Sequence, residues 1–403
     1  MSKRWLDRSV LEAAQERVAF VLEHFERIYV SFSGGKDSSV MLHLVMEEAI
    51  KRGKTVGVLF VDLEGQYKIT IEHIHEMVTL YKDNIELYWV CLPLALRNAV
   101  SVYEPKWECW EQGKDWIRQP PECAITDINY FPFFKVGMEF EEFVPKFGEW
   151  YGQEQLTACF VGIRADESLN RYRTIKSEKK SMFLNLQWTT FVQGGVYNIY
   201  PIYDWAVGDI WLYISRFNKC YNRLYDLMHQ AGLTPSQMRI CQPYGDDQRK
   251  GLWLFHVIEP ETWGRVVARV NGANQGALYA KDSGNILGNQ KIVLPEGHTW
   301  QSFAELILAS LPDVTQEHFK DKIAVFLKWW QDRGYPNGIP DFADLKDEAA
   351  KTVPSWRRIC KSLLRNDYWC KGLSFSQTKS ESYTRYKKIM KNRRTRWNIY
   401  RPS

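Results

Sequence analysis

Closely spaced cysteine pairs are absent from this sequence, although it contains eight cysteines among its 403 residues. Without a CxxC motif the chain offers neither a zinc ribbon nor a thioredoxin-like redox motif, so we expect reduced and mostly buried thiols. No apolar run approaches ~18 residues, and the first residues lack the apolar core of a secretion signal. We therefore expect a cytoplasmic protein with no membrane contact.

A strong excess of charge is also missing from most of the chain, since the net charge is only +5. The excess is concentrated in the tail, where ten Lys or Arg stand against one acid from Lys371 onward. Residues 382–403 interleave these cations with four aromatic residues, a composition suited to phosphate backbones and stacked bases. This pattern favours nucleic-acid contact. The alternative is a terminal helix whose aromatic side chains pack on the body while its charges stay in solvent.

Apolar segments alternate with helical patterns in the first half of the chain. A capping-box pair, Ser9 and Glu12, opens a predicted helix over residues 9–26, and a second predicted helix starts at Lys36. The remaining predicted elements are strands at 27–32, 55–64, 85–94, 157–164 and 196–202, and a helix at 69–81. This alternation predicts an α/β fold with a doubly wound, mostly parallel sheet flanked by helices.

Strand patterns become rare after about residue 230. The most regular helical pattern there spans residues 313–336, with Asp313 and Gln316 as the expected cap and Gly334 and Pro336 as stop signals. We therefore predict a mainly helical second domain.

The change of pattern sets the predicted domain boundary. Residues 1–230 form the first predicted domain, and residues 231–403 form the second, which ends in the basic aromatic tail. Within the first domain, residues 95–156 are rich in Trp, Pro and Glu and break the alternation. We expect this insertion to be partly helical and to pack over the edge or mouth of the sheet.

The stretch SFSGGKDSS, residues 31–39, lies between the first predicted strand and the helix that starts at Lys36. A glycine-rich turn at this place lets backbone N–H groups and the helix N-terminus converge on an anion. The lysine adds a positive charge and the serines add hydroxyl donors. Because Val30 occupies the first glycine position and Asp37 follows the lysine, this is not a Walker A loop, and it is not a GxGxxG loop either. The stretch therefore predicts a phosphate site at the carboxyl end of the first strand.

Four sequence blocks, in order, carry a resemblance to a known family. SGGKDS (33–38) resembles the PP-loop of the adenine nucleotide α-hydrolase superfamily, and residues 60–77 look like the second strand and helix of its phosphoadenosine phosphosulfate (PAPS) reductase branch. GIRADESLNRYR (162–173) and YPIYDWAVGDIWLYI (200–214) are similar to two further blocks of that branch. The Trp-rich second half narrows the resemblance to the immunoglobulin-binding regulator A group, coactivators of prophage gene expression.

The resemblance implies that the loop binds the phosphates of an adenine nucleotide and that, with Mg²⁺, ATP is split between its α- and β-phosphates. The implied nucleotide-binding residues are Ser31, Ser33, Gly34, Gly35, Lys36, Asp37, Ser38, Asp62, Gly162, Arg164, Glu167 and Arg173. The implied catalytic residues are Lys36, Asp37, Arg164 and Arg171. Asp37 and Asp62 are the candidate magnesium or ribose contacts, and capping of the helix is the alternative for Asp37.

Three arginines, Arg164, Arg171 and Arg173, fall at a predicted strand end and in the loop after it. Their guanidinium groups are placed to bind phosphate or sulfate oxygens, with Glu167 holding one of them. Ordinary surface ion pairing is the alternative. Asp209 begins a predicted helix, so capping competes with a functional role there too.

The cysteines argue against sulfonucleotide reduction, the reaction that the family name suggests. Cys360 in RRICKS and Cys370 in YWCKG do not match the Glu-Cys-Gly-Ile-His tail that carries the reductase thiol. Four scattered cysteines could still converge on an iron–sulfur cluster, although we do not expect one. His73 and His75 stand two apart on a predicted helix and should point apart, so shared metal ligation is not expected.

Together these patterns predict an enzyme that releases pyrophosphate from ATP to activate an unknown acceptor, with a link to nucleic acid or gene regulation. One alternative is a regulatory protein that senses an adenine nucleotide without turnover and acts through DNA or a protein partner. The other is a sulfonucleotide reductase.

Overall fold

The computed structural model describes residues 7–178, 180–235, 237–240, 244–245, 251–273, 292–375 and 397. The predicted nucleic-acid tail, residues 382–403, lies outside the described residues except for Trp397. Contacts divide the chain into two compact units, each built from several stretches. The amino-terminal unit comprises Met1–Ala95, Glu108–Pro243 and Leu254–Arg269, and the carboxy-terminal unit comprises Leu96–Trp107, Tyr244–Trp253 and Val270–Ser403.

Short apolar segments form the strands that the alternation predicts. The strands are β1 (Arg27–Ser31), β2 (Val56–Val61), β3 (Ile85–Val90), β4 (Leu94–Arg97), β5 (Lys106–Glu108), β6 (Met138–Glu139), β7 (Thr157–Val161), β8 (Thr189–Phe191) and β9 (Val196–Ile199). A six-stranded sheet has the order β3-β2-β1-β7-β9-β8, and a three-stranded sheet has the order β5-β4-β6.

The six-stranded sheet is parallel except for β8, which pairs antiparallel with β9. β1 lies in its middle, where Ser31 pairs with Leu59 of β2 on one side and Val161 of β7 on the other. The predicted doubly wound, mostly parallel sheet is therefore confirmed. Because the strand order reverses at β1, its carboxyl end is the place where such sheets bind ligands.

Helices alternate with these strands. Up to residue 269 the described helices are α1 (Val10–His24), α2 (Lys36–Lys51), α3 (Lys68–Leu80), α4 (Phe140–Gly152), α5 (Leu169–Lys176), α6 (Val207–Arg216), α7 (Leu224–Gln230), α8 (Leu252–Ile258) and α9 (Pro260–Arg269). The predicted capping box of α1 is confirmed, since Glu12 N donates to Ser9 Oγ at 3.2 Å and Ser9 N donates to Glu12 Oε2 at 2.9 Å. No described helix has both the length and the apolar character needed to cross a membrane.

The helix of the insertion packs differently from the expectation. A Cβ on Gly148 of α4 would come within 2.7 Å of the Tyr29 hydroxyl in β1 and 3.2 Å of Val196 in β9, so α4 covers a face of the sheet and not its edge. Aromatic rings fill this contact, with Phe147 centred 5.3 Å from Tyr29 and 5.8 Å from Tyr151. The physical reason is that a helix between parallel strands must cover the apolar face of the sheet. Part of the high aromatic content therefore forms core.

The carboxy-terminal unit contains a helical core, as its sequence predicts. Its helices after residue 292 are α10 (Trp300–Ser310), α11 (Asp313–Gln331), α12 (Leu345–Ala350) and α13 (Trp356–Leu364). Buried side chains of α10, α11 and α13 form one cluster that includes Ala304, Phe319, Phe326 and Ile359. Short 3-10 turns lie at Phe183–Asn185 in the amino-terminal unit and at Lys371–Leu373 here.

The predicted cap of α11 is wrong. Pro312 is the N-cap, and no side chain caps the helix. The Pro312 carbonyl accepts from Gln316 N at 2.8 Å, and the Gln316 side chain instead donates to Leu308 O in α10 at 2.7 Å. Contact with the preceding helix thus replaces the local cap that Asp313 and Gln316 suggested.

Candidate phosphate-binding site

The glycine loop joins β1 to α2 in the middle of the sheet. β1 ends at Ser31, and α2 begins at Lys36 with Gly35 as its N-cap. Gly34 has a left-handed φ of 71°, and a Cβ there would come within 3.0 Å of the Ile74 side chain in α3. Glycine is required here because other residues combine this backbone angle with a steric clash.

Several backbone N–H groups of the loop have no protein acceptor. Within the described residues, this holds for the N–H groups of Gly34, Gly35 and Asp37. A helix leaves such groups unsatisfied at its N-terminus, where its dipole adds partial positive charge. Because unpaired N–H groups at a helix N-terminus attract negative charge, the loop is suited to bind an anion.

Side chains and a neighbouring strand hold the loop in this form. Ser38 Oγ donates to Gly35 O at 3.0 Å and lies 3.0 Å from Ser33 Oγ. A Cβ on Gly162, just after β7, would come within 3.0 Å of Ser38 N and 3.1 Å of Asp37 O. The glycine that begins the third sequence block, residues 162–173, therefore lets the end of β7 pass directly against the first turn of α2.

Two buried cations share one carboxylate at this turn. Lys36 Nζ lies 3.0 Å from Asp37 Oδ2, and Arg164 Nε donates to Asp37 Oδ1. Lys36 is 5% exposed and Arg164 is 3% exposed. Arg164 also donates to Trp205 O at 3.4 Å. The alternative role of Asp37 as a helix cap is not what the structure shows, because its carboxylate binds these two cations and α2 has no side-chain cap.

Two residues that the sequence did not predict hold the loop by hydrogen bonds. They are Tyr225 in α7 and Asn222 in the turn before that helix. Tyr225 OH accepts from Lys36 N at 3.0 Å, and the ring centre lies 5.4 Å from Lys36 Nζ. The Asn222 side-chain amide donates to Gly34 O at 3.0 Å and to Thr70 Oγ1 at 2.9 Å. No local pattern marks these residues, since about 190 positions separate them from the loop.

Asp62 lies at the carboxyl end of β2 and is 0% exposed. Its carboxylate accepts from Trp89 Nε1 at 2.8 Å, from Glu64 N at 3.0 Å and from the Arg118 guanidinium. Asp62 thus has a different set of partners from Asp37, and its oxygens accept hydrogen bonds within a buried network. The predicted magnesium or ribose contact of Asp62 stays a prediction.

Glu64 continues this network and was also missed. It is 0% exposed and has a φ of 63°, which is unusual for a residue other than glycine. Its carboxylate accepts from Trp110 N at 2.7 Å, from Ile117 N at 3.0 Å and from Arg269 Nε at 3.2 Å. The insertion therefore reaches the mouth of the sheet through these residues, although α4 covers the face.

The remaining predicted residues lie further along the chain. Arg171 binds Glu167 at 3.0 Å with 39% of its side chain exposed, and Arg173 is exposed on α5. This arrangement has the form of a surface ion pair, with Glu167 holding Arg171 as anticipated. Asp209 accepts from Ala206 N at 2.7 Å, so it serves as a cap of α6.

Cys220 Sγ lies 3.8 Å from His43 Nε2 beside α2, but the described ranges contain no larger group of metal-ligating side chains. Seven cysteines there are free thiols, and no three His, Cys, Asp or Glu side chains form a group that could hold a metal. His73 Nε2 lies 2.8 Å from Ser39 Oγ, whereas the His75 ring packs 4.6 Å from Trp89. The two histidines bind separate partners, as their spacing predicted.

Comparison with known proteins matches both halves of the chain. Residues 27–231 match the phosphoadenosine phosphosulfate reductase domain, and residues 232–338 and 337–384 match a domain of unknown function, DUF3440. The uncharacterized protein YbdN of Escherichia coli (strain K12) is 48% identical over 397 residues, covering 98% of this chain and 97% of that protein.

Two further relatives bear the name of the first domain. The phosphoadenosine 5'-phosphosulfate reductase of Photobacterium profundum is 25% identical over 223 residues, covering 53% of this chain and 69% of that protein. The crystal structure of phosphoadenylyl-sulfate reductase from Candida auris, a phosphate complex, aligns with a TM-score of 0.29 and 16% identity, covering 57% of this chain and 95% of that one. Because the domain match spans residues 27–231, about half of the chain, this protein belongs to the phosphoadenosine phosphosulfate reductase domain family.

Proposed function

We propose that the amino-terminal unit binds ATP through the PP-loop and splits it between the α- and β-phosphates, which activates an acceptor by adenylylation. The observation that carries this proposal is that the N–H groups of Gly34, Gly35 and Asp37 have no acceptor in the part of the protein that the structure describes. They lie at the N-terminus of a 16-residue helix beside Lys36. This combination suits the negative charge of a leaving pyrophosphate.

The proposed step is a displacement at the α-phosphorus. A nucleophilic oxygen or nitrogen of the acceptor forms a bond to the α-phosphorus, and the bond to the α–β bridging oxygen breaks. Pyrophosphate leaves with the electron pair, and the proton of the acceptor passes to solvent. The loop N–H groups stabilise the charge that develops on the leaving group.

Asp37 has a defined part in this proposal. Its carboxylate pairs with Lys36 and Arg164, two cations that a phosphate oxygen would also pair with. On nucleotide binding the two cations exchange this carboxylate for phosphate oxygens, which keeps the buried positive charges paired.

The structure offers a poor fit to a magnesium site made of Asp37 and Asp62. Asp62 is 0% exposed and its carboxylate accepts from three donors, so of the two carboxylates only that of Asp37 is released by the proposed exchange. Protein carboxylates that hold magnesium beside substrate phosphates need oxygens open to the ion. We therefore derive no step through a metal, and magnesium binding stays a prediction.

Three thiols, Cys220, Cys360 and Cys370, are poorly suited to sulfonucleotide reduction. Burial raises the pKa of the Cys360 thiol to about 12 and raises that of Cys370 well above its ordinary value. Burial also raises the pKa of Cys220 to about 11. A reductase needs a thiolate nucleophile, and these thiols stay protonated at neutral pH.

The test uses α-labelled ATP with magnesium and candidate acceptors. We expect pyrophosphate release together with AMP or an adenylylated product. Lys36→Ala should lower the rate by about 10²–10³-fold, the typical loss when one charge-stabilising group is removed. Lys51→Ala is the matched control, because Lys51 lies on the same helix with its side chain 68% exposed.

Other outcomes identify the alternatives. ATP binding without pyrophosphate release under any condition would favour a nucleotide-sensing regulator, the activity that goes with the narrower resemblance to the immunoglobulin-binding regulator A group. Consumption of PAPS with a thiol donor would establish reduction. Failure to bind any adenine nucleotide would contradict the proposal.

A further inference from the structure

The carboxy-terminal unit contains a cleft of about 500 Å³ that the phosphate site does not use. It lies between α10, α11, the N-terminus of α13 and the turn that follows α11. Three aromatic side chains line it, Tyr335, Trp356 and Trp397, together with the aliphatic Leu327 and Ile339. This volume falls in the range of about 300–1,000 Å³ that is typical of small-molecule sites.

The polar groups of the cleft are carboxamides. Gln301, Gln331 and Asn337 line it, and each carboxamide carries both donors and an acceptor. Lys328 is the charged residue among the lining positions that the structure describes, and none of those positions is Asp or Glu. Lys328 Nζ lies 3.2 Å from Asp332 Oδ1, so its charge is already paired. Flat rings with carboxamide edges suit a planar heterocycle that hydrogen bonds along its rim.

The aromatic walls are held in place before any ligand binds. Trp356 packs against the buried cluster of α10, α11 and α13, as do Leu327 and Ile339. The Tyr335 ring meets Trp330 edge to face, with 5.6 Å between ring centres. A prearranged stacking surface binds with a lower entropy cost than one that must order itself.

From this cleft we infer that the carboxy-terminal unit binds single-stranded nucleic acid, with a base stacked on Trp356. Base stacking on aromatic side chains contributes about 1–3 kcal/mol per base. Trp397 connects the cleft with the tail, since it belongs to the segment where ten Lys or Arg stand against one acid from Lys371 onward. The sequence of that segment is rich in cations, which suits a ligand that carries phosphates.

Fluorescence anisotropy of a labelled single-stranded RNA, titrated with the full chain, tests this inference. We expect single strands to bind more tightly than a duplex of equal length, with an affinity that falls steeply with salt. Trp356→Ala should weaken binding by about 5- to 150-fold, which is 1–3 kcal/mol converted at 25 °C. Trp329→Ala is the matched control, because Trp329 lies on α11 but is not among the residues lining the cleft.

Because Trp356 also packs on the core, a second variant keeps the test independent of folding. Asn337 is exposed, so Asn337→Asp adds a negative charge at the cleft without changing the core, and it should also weaken RNA binding. RNA affinity unchanged by both variants would overturn the inference, as would the absence of RNA binding or a preference for duplex. Lys36→Ala should leave RNA binding unchanged, which separates this inference from the proposed ATP chemistry.

Discussion

The phosphate loop and the carboxy-terminal cleft are built on different principles. The loop presents backbone N–H groups, and the side chains around it, Lys36 and Arg164 included, are almost fully buried. The cleft presents side chains, the rings of Tyr335 and Trp356 and an exposed carboxamide at Asn337. A backbone site depends on a fixed chain path and should tolerate few changes nearby, whereas a side-chain site should respond only to the residues that line it.

We expect the largest difference between the two units in how far acid pH lowers the free energy of unfolding. Burial lowers the pKa to about 4 for His43 and His73 in the amino-terminal unit and for His318 in the carboxy-terminal unit. Unfolded histidine titrates near 6.5, so between pH 6.5 and about 4 the unfolded state binds more protons. The free energy of unfolding is therefore unaffected above this window and falls as the pH falls through it. At ~1.4 kcal/mol per pKa unit, the loss approaches about 3 kcal/mol for each histidine.

Urea unfolding at several pH values between 4 and 7 measures this slope. The double variant His43→Gln, His73→Gln should remove more of the pH dependence than His318→Gln, because it removes two buried titrating groups. If the free energy of unfolding has the same slope against pH in both variants, the two units do not differ in acid sensitivity.

A single methyl group at Gly162 should test how strictly the loop depends on the chain path. Its Cβ would lie 3.0 Å from Ser38 N, so Gly162→Ala must push the first turn of α2 aside. Overpacking of this kind costs about 1–3 kcal/mol of stability, and nucleotide affinity should fall with it. Thermal unfolding and ATP titration measure the two effects.

Gly208 provides the control for that change, since a Cβ there would meet no atom within 4 Å and the residue lies in α6. Gly208→Ala should leave ATP affinity unchanged and keep or slightly raise the melting temperature. If both variants behave alike, the close approach at Gly162 has no functional role.

Removal of one hydroxyl should give the smallest effect. Tyr225→Phe keeps the ring beside Lys36 Nζ but loses the acceptor for Lys36 N. A hydrogen bond contributes about 0.5–1.5 kcal/mol, so ATP affinity should fall by about two- to tenfold as the loop loses its fixed shape. Tyr221→Phe is the control, because the Tyr221 hydroxyl binds Asp226 and not the loop. Isothermal titration calorimetry measures both, and unchanged affinity in Tyr225→Phe would show that Tyr225 does not position the loop.

Sequence patterns predicted the features that depend on near neighbours. The Ser9 and Glu12 capping box and the glycine turn at Gly34 each follow from a few adjacent residues, and the parallel sheet follows from the alternation of strand and helix patterns along the chain. Local sequence is sufficient for the capping box because its contacts lie within one turn. The sheet is predictable because each strand and helix shows its own periodicity, although the strands pair across long stretches of chain.

Features with distant partners were missed or misjudged. The cap of α11 was wrong because Gln316 binds Leu308 of another helix. The side of the sheet covered by α4 depends on Tyr29 and Val196, far from the helix in sequence. No periodicity signals such partners, because they come together only when the chain folds.

The sequence by itself therefore determined that a glycine loop with the chemistry of a phosphate site ends the first strand, since that depends on nine consecutive residues, 31–39. Only the tertiary structure decided how the loop is held. Asn222 and Tyr225 form hydrogen bonds with its backbone, although 188 and 189 positions separate the bonded residues. Arg164 pairs with Asp37, which lies 127 positions away in the sequence. The physical reason is that a hydrogen bond or ion pair forms where two groups approach within about 3 Å, whatever their separation along the chain.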